Sequence, residues 1–200
     1  MAVPSTALLV VDPLKRFTEA GAPFEATDAS PTIERINRAA RSVRAAGDHV
    51  VWTTRLVRSQ VGPGVRTASR YGDIVDAFSG RWAELDERLD VRPEDVIIDK
   101  TRHSAFHATD LEQVLRTWGV RRVVIAGFTF NVCCLATAFD AVALDHEVVF
   151  AADLLGTRGT SFEGRDFSGE QVHEMTQALV AYAIGEVAHS TTLYRSADLG

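Results

Sequence analysis

The segment RRVVIAGFTFNVCCLATAFDA, Arg121–Ala141, changes character in its middle. Val123–Ala126 is a continuous apolar run, the pattern of a strand covered on both faces. After Gly127 the chain turns, and CCLATAFDAVALD reads as a helix rich in small residues, suited to close packing on a sheet. A fully buried strand feeding directly into such a helix is half of a βαβ unit.

The same alternation extends in both directions. TALLVVD (Thr6–Asp12), HVVWTTR (His49–Arg55), DVIIDK (Asp95–Lys100) and EVVFAAD (Glu147–Asp153) are further apolar strands, and EVAHSTT supplies a sixth. Between them lie helical patterns. SPTIERINRAARSVRAAG places Ser30 as N-cap and Pro31 in the first turn; Ile33, Ile36, Ala40 and Val43 form one stripe, and Gly47 ends it. A short helix is expected around Trp82–Leu89. Thr109 with Glu112, and Ser168 with Gln171, match the capping-box pattern at two later helix starts, the first helix stopping at Gly119. The expectation is one α/β domain over residues 1–200, with three α/β/α layers and a mostly parallel six-stranded sheet of Rossmann-like type. The longest irregular stretch, Leu56–Gly80, has the length of a lid or binding loop.

Composition narrows the function. The chain is 46% hydrophobic and 24% charged, with a net charge of −6, which argues against nucleic acid as a partner. It has no apolar run approaching the roughly 20 residues that cross a bilayer, and its N-terminus lacks the basic flank of a signal peptide. The two cysteines, Cys133 and Cys134, are adjacent and cannot staple distant segments, so a reducing cytoplasm is expected. Only Lys15 and Lys100 among 21 basic residues are lysines, which draws attention to each.

Ligands of open α/β sheets bind beyond the carboxyl ends of the strands. Asp12, Lys100 and Cys133 stand at three such ends. Each has a plain reading beside the chemical one: a turn acid, a solvated amine, a buried thiol. Together they make a coherent set. Asp12 could take the thiol proton and pass it to a leaving group, and Lys100 would balance Asp12 or help to stabilise a thiolate. The helix start at Cys133 would favour negative charge. Backbone N–H groups on the preceding turn could hold an oxyanion. The pair is not C-x-x-C, no spaced Cys/His ligand cluster occurs, and no phosphate-binding glycine loop is present. Cys133 is nearer the turn, and Cys134 reads as packing.

LLVVDPLKRF, IIDKTRHSAF and GFTFNVCCLATAFDA, in this order, resemble the isochorismatase-like cysteine hydrolases, a group that includes nicotinamidases, N-carbamoylsarcosine amidase, ureidoacrylate amidohydrolases and isochorismatases. The likeness runs from the first strand through the fifth, and RWAELDERL looks most like the carbamoyl-amide-cleaving branch. The resemblance implies that fold and a triad of Asp12, Lys100 and Cys133. It also implies a cis peptide between Phe128 and Thr129, and an oxyanion hole from the amides of Thr129 and Cys133. The implied reaction is attack of Cys133 on an amide of a small molecule through a thioester, in a homo-oligomer (dimer or tetramer). Vinyl-ether hydrolysis with Asp12 as acid, or binding without turnover, are the alternatives. Two positions depart from the pattern: Leu14 stands where glutamine is usual, and Phe130 where threonine is usual. TTRLVRSQ lacks the Asp-x-His segment that binds metal in nicotinamidases, so no metal and no cofactor are expected and nicotinamide is disfavoured. Phe17, Phe106 and Phe130 are candidates for an aromatic wall around the substrate, or else core residues. His103 is a candidate hydrogen-bonding residue of the pocket; His107 reads as a surface histidine.

Overall fold

The computed structural model describes residues 5–55 and 77–193. Six parallel strands form one sheet: β1 (Ser5–Val11), β2 (His49–Arg55), β3 (Val96–Lys100), β4 (Val120–Phe128), β5 (Glu147–Gly156) and β8 (Glu186–Ala188), in the order β3-β2-β1-β4-β5-β8. A separate two-stranded hairpin, β6 (Thr160–Phe162) with β7 (Arg165–Phe167), precedes the last long helix. The helices are α1 (Lys15–Thr18), α2 (Ala29–Ala45), α3 (Leu111–Thr117), α4 (Leu135–Ala143), α5 (Gly169–Ala183) and α6 (Ser190–Leu193).

The period of two along β1 divides the core. Leu8 and Val10 face one side, where they join Ile33, Ile36 and Val43 of α2, Trp52 and Phe128. Leu9 and Val11 face the other, where they join Leu111, Leu115, Ala138, Phe150 and Val180. Both faces of β1 are therefore covered, which is why its sequence is apolar without alternation. The helices on the two sides complete three layers. The chain leaves β1 toward β2 and β3 on one side and resumes at β4, β5 and β8 on the other. The crevice between the carboxyl ends of β1 and β4 is thus the switch point where such folds bind ligands.

Gly127 makes that junction possible. Its φ is +107°, and a Cβ there would sit 2.1 Å from the Val11 carbonyl oxygen, so only glycine allows β4 to lie this close to β1 as it turns. Opposite it in register is Val11, which sets Asp12 and Phe128 side by side.

Several local expectations need correction. The segment around Trp82–Leu89 is not a helix: only a 3₁₀ turn, Gly80–Ala83, forms, followed by a bridge between Leu85 and Leu14. Asp86 is the reason. Its buried carboxylate accepts from the Arg88 backbone N–H at 2.9 Å and from the Arg88 side chain, a local bonding pattern that competes with helix. α2 starts before Ser30, after Asp28 in the left-handed region at φ +59°. At α3 no capping box closes. The Thr109 hydroxyl donates back to the Ala105 carbonyl at 2.6 Å, while Glu112 pairs with Arg116 and His146. The Ser168–Gln171 box does form at α5. The sixth strand ends at Ala188 and gives way to α6. Most of the Leu56–Gly80 loop lies outside the described residues.

Candidate active site

β1 ends at Val11, and Asp12 follows in the left-handed region with φ +46°. That conformation turns the chain sharply, and the Leu14 N–H donates to the Asp12 carbonyl at 2.7 Å. The Asp12 side chain is fully buried. Its Oδ1 accepts a hydrogen bond from Thr53 Oγ1 at 3.0 Å, and Thr53 Oγ1 in turn accepts from the Asp12 N–H at 3.0 Å. Thr53, on the neighbouring β2, therefore holds both the backbone and the carboxylate of Asp12.

Lys100 ends β3 and is equally buried. Its Nζ lies 2.8 Å from Asp12 Oδ2 and donates to the carbonyls of Arg102 and His103, each at 2.9 Å. The Asp12 contact is an ion pair without an aligned hydrogen bond on Oδ2. A compact ammonium with three donors meets three acceptors here, which a planar guanidinium could not do from one point. The other lysine, Lys15, is an outer residue paired with Glu84 and Glu87.

Cys133 lies in the π-helical turn Phe130–Cys134 that joins β4 to α4. The Phe128–Thr129 peptide is cis, and the Thr129 carbonyl accepts from the N–H groups of Val132 (3.1 Å) and Cys134 (3.2 Å). The Cys133 thiol is buried and 3.5 Å from His103 Nδ1. Its pKa is raised to about 11, chiefly by burial and also by the Asp12 charge, against the pull of Lys100 and Arg55. The thiol is thus protonated at neutral pH, contrary to the thiolate that a helix start was expected to favour. Desolvation outweighs the two nearby cations.

Arg55, at the end of β2, contributes a second polar link. Its Nη1 lies 3.2 Å from His103 Nδ1; a guanidinium can only donate, so Nδ1 accepts and the imidazole proton sits on Nε2. Partial desolvation, with Arg55 and Lys100 nearby, lowers the His103 pKa to about 4, so the ring is neutral at pH 7. Arg16, on α1, is fully buried. Its guanidinium carbon is 5.2 Å from the Phe17 ring centre and 5.0 Å from that of Phe78, and Arg55 lies 5.2 Å from the same Phe78 ring.

Other sequence candidates fall into place differently. Cys134 is buried, with its Sγ donating to the Ala126 carbonyl at 3.7 Å. Phe130 packs on Phe150 (5.5 Å between ring centres) and His173 (5.2 Å), Phe106 on His146, and Phe17 on Phe24. Phe130 and Phe106 belong to one face of the core and Phe17 to the other. His107 is exposed. Leu14 is fully buried in the core. A separate cavity of about 300 Å³, lined by residues including Thr27, Arg35, Asp153 and His173, holds no triad member. Its Arg35 is already bonded to the Asp153 carbonyl and the Asp28 carboxylate. Among the described residues no His/Cys/Asp/Glu cluster could hold a metal ion, and no helix is long and apolar enough to cross a membrane.

Residues 6–182 match the isochorismatase domain model. The chain belongs to the isochorismatase family. It is 30% identical over 179 residues to a ureidoacrylate amidohydrolase, RutB, from Pseudomonas syringae pv. syringae, covering 78% of this chain and 73% of that one. Over 150 residues it is 36% identical to an Arabidopsis thaliana protein described as a probable inactive nicotinamidase, covering 71% of this chain and 75% of the relative. A crystal structure of a cysteine hydrolase from Pseudomonas syringae pv. phaseolicola superposes with a TM-score of 0.89 at 27% identity, over 98% of this chain and 97% of that one. A structure of an isochorismatase-type hydrolase from Oleispira antarctica, at 21% identity and TM-score 0.82, shares the fold. The chain is an isochorismatase-family hydrolase with the six-stranded parallel sheet of that family. Sequence reasoning missed Thr53, Arg55 and Arg16. Thr53 and Arg55 sit at the same sheet end as Asp12 and Lys100, and that position was the available signal. Arg16 lies only four residues beyond Asp12.

Proposed function

We propose that the protein hydrolyses a C–N amide bond of a small molecule, a primary amide or a carbamoyl or ureido group, through a thioester on Cys133. The observation that carries this reading is the buried Asp12–Lys100 ion pair, 2.8 Å long, whose two charges both act on the Cys133 thiol. A protonated thiol beside a carboxylate calls for general-base activation at the moment of attack rather than a resident thiolate.

In this mechanism Asp12 accepts the Sγ proton as sulfur attacks the carbonyl carbon. The negative charge that develops on oxygen is met by the N–H groups of Thr129 and Cys133. The protonated Asp12 then donates to the leaving nitrogen, the C–N bond breaks, and ammonia or an amine departs from a Cys133 thioester. Asp12 next deprotonates a water that attacks the thioester carbon, and the collapse of that intermediate returns the proton to sulfur. Lys100 compensates the carboxylate charge and fixes its position throughout. The neutral His103 shares the site through its contact with Sγ. The relatedness to an enzyme named for amide hydrolysis of a ureido acid supports the carbamoyl or ureido class in particular.

Ammonia release across primary amides, ureido and carbamoyl compounds tests the proposal. Turnover that vanishes in Cys133→Ala and persists in Cys134→Ala is the expected outcome. Activity on an isochorismate-like vinyl ether that survives Cys133→Ala but is lost in Asp12→Asn would instead assign acid catalysis by Asp12. No turnover across the panel would point to binding without chemistry, a reading that the high thiol pKa also suits.

A further inference from the structure

The two oxygens of the Asp12 carboxylate are treated differently. The side chain has no exposed surface, and Oδ1 receives the Thr53 hydroxyl at 3.0 Å. Oδ2 has no aligned donor. Lys100 Nζ lies 2.8 Å away, close enough for its charge to act, but the ammonium aims its hydrogen bonds at the carbonyls of Arg102 and His103. A buried carboxylate oxygen left open in this way calls for an explanation.

Thr53 supplies the asymmetry. The Asp12 N–H can only donate, so at 3.0 Å it makes Thr53 Oγ1 an acceptor and leaves the single hydroxyl proton for Oδ1. Thr53 is fully buried, so its hydroxyl cannot turn away to water. Strand alternation puts its side chain on the same face of β2 as Val51, which shares a core cluster with Val11 and Cys133. Trp52, between them, faces the other cluster. A branched valine would suit a buried strand position equally well, so strand packing does not account for the hydroxyl. A proton placed on Oδ1 would collide with the one that Thr53 already donates there. Oδ2 has room for it.

We propose that Thr53 is a positioning residue of the reaction: it commits Oδ1 of Asp12, so that Oδ2 alone receives the Cys133 proton and alone returns it to the leaving nitrogen. The S–H bond breaks as the Oδ2–H bond forms, and the Oδ2–H bond breaks in turn as the proton passes to nitrogen. The Thr53–Oδ1 hydrogen bond stays in place through both transfers. This deepens the amidohydrolase reading above and rests on it for the role of Asp12; the choice of oxygen rests on Thr53.

Thr53→Val removes the hydroxyl and keeps the branched shape, and Thr53→Ser keeps the hydroxyl. Lys100, Arg55, Arg16, His103 and Cys133, the charged and titratable groups of the centre, are the same in both variants, so any difference reads the hydrogen bond. A hydrogen bond to the ionised form favours that form, so its loss moves protonation to higher pH. On an amide that the wild type turns over, Thr53→Val should lower kcat about tenfold, leave KM within about twofold, and move the acid limb of kcat/KM up by about one pH unit. Thr53→Ser should restore both. An unmoved acid limb, or a loss that Thr53→Ser does not restore, overturns the role of Thr53 while the amidohydrolase reading stands. If no amide is turned over, that reading fails, and the carboxyl carbon-13 titration of Asp12, assigned by its absence in Asp12→Asn, decides the Oδ1 bond separately. A midpoint about one pH unit higher in Thr53→Val than in wild type and Thr53→Ser upholds it, and equal midpoints overturn it. Should Thr53→Val not fold, the wild type still decides: the Thr53 hydroxyl proton should be protected from solvent exchange while Asp12 is ionised, and free exchange overturns the proposal.

Discussion

Replacing Lys100 with Met removes the ammonium from the Asp12 pair and leaves the carboxylate buried without its counter-ion. Both side chains have no exposed surface, so water cannot substitute for the lost partner. Breaking one half of a buried ion pair costs about 3–5 kcal/mol. The carbonyls of Arg102 and His103 also lose their donor, which places the expectation toward the upper end. For a chain of this size each kcal/mol lowers Tm by about 2–4 °C, so Lys100→Met should melt roughly 6–20 °C below the wild type. The decisive comparison is with Asp12→Asn and the double variant, by urea unfolding followed by circular dichroism. Methionine opposite a neutral amide removes the stranded charge. The double variant should therefore be more stable than the sum of the single losses predicts, by about 2 kcal/mol. A Lys100→Met cost below about 1 kcal/mol, or losses additive within about 0.5 kcal/mol, would refute the account of the pair as a mutually dependent buried unit.

Gly127→Ala should cost more than about 3 kcal/mol or prevent folding, because the new Cβ meets the Val11 backbone at 2.1 Å in a φ region that disfavours side chains; a soluble variant with wild-type Tm would contradict the packing of β4 on β1. Ser168→Ala removes the cap acceptor of the Gln171 N–H and should lower stability by about 1 kcal/mol in urea titration, with activity retained. Alkylation of Cys133 by iodoacetamide should rise about tenfold per pH unit from 7 to 9 with no plateau, as expected for a thiol whose pKa is raised to about 11; saturation near pH 7 would contradict it. The same raised pKa means that the folded chain holds its proton more tightly than the unfolded one, so this contribution to stability is complete below pH 9 and is lost as pH rises toward 11.

The strands of the central sheet were legible because burial on both faces writes them as uninterrupted apolar runs, as in Ala7–Val11 and Val123–Ala126. The placement of the three candidate residues was legible for a related reason: strand ends in such sheets converge, and Asp12, Lys100 and Cys133 each close or follow a strand. The β6–β7 hairpin escaped notice because nearly all its residues are exposed and no face needs an apolar pattern; its Glu163-Gly164 turn, with φ of +48° and +74°, was the only cue. The stretch around Trp82–Leu89 carries helical spacing, but the buried Asp86–Arg88 pairing diverts the backbone. Arg16 could not be singled out in a chain whose basic residues are almost all arginine; what marks it is full burial with Nε and Nη2 unpartnered, a property of the fold. Phe130 stood out in the sequence as an oddity near the nucleophile, and the structure places it on Phe150 in the core.

The central claim is that Cys133 becomes acylated. Rapid acid quenching of the protein with a turned-over amide, followed by intact and peptide mass analysis, should show the acyl group of that substrate on the Cys133 peptide. The adduct should persist in Cys134→Ala and vanish, together with ammonia release, in Cys133→Ala. Steady ammonia release by Cys133→Ala, or an acyl group carried on Cys134, would contradict the account.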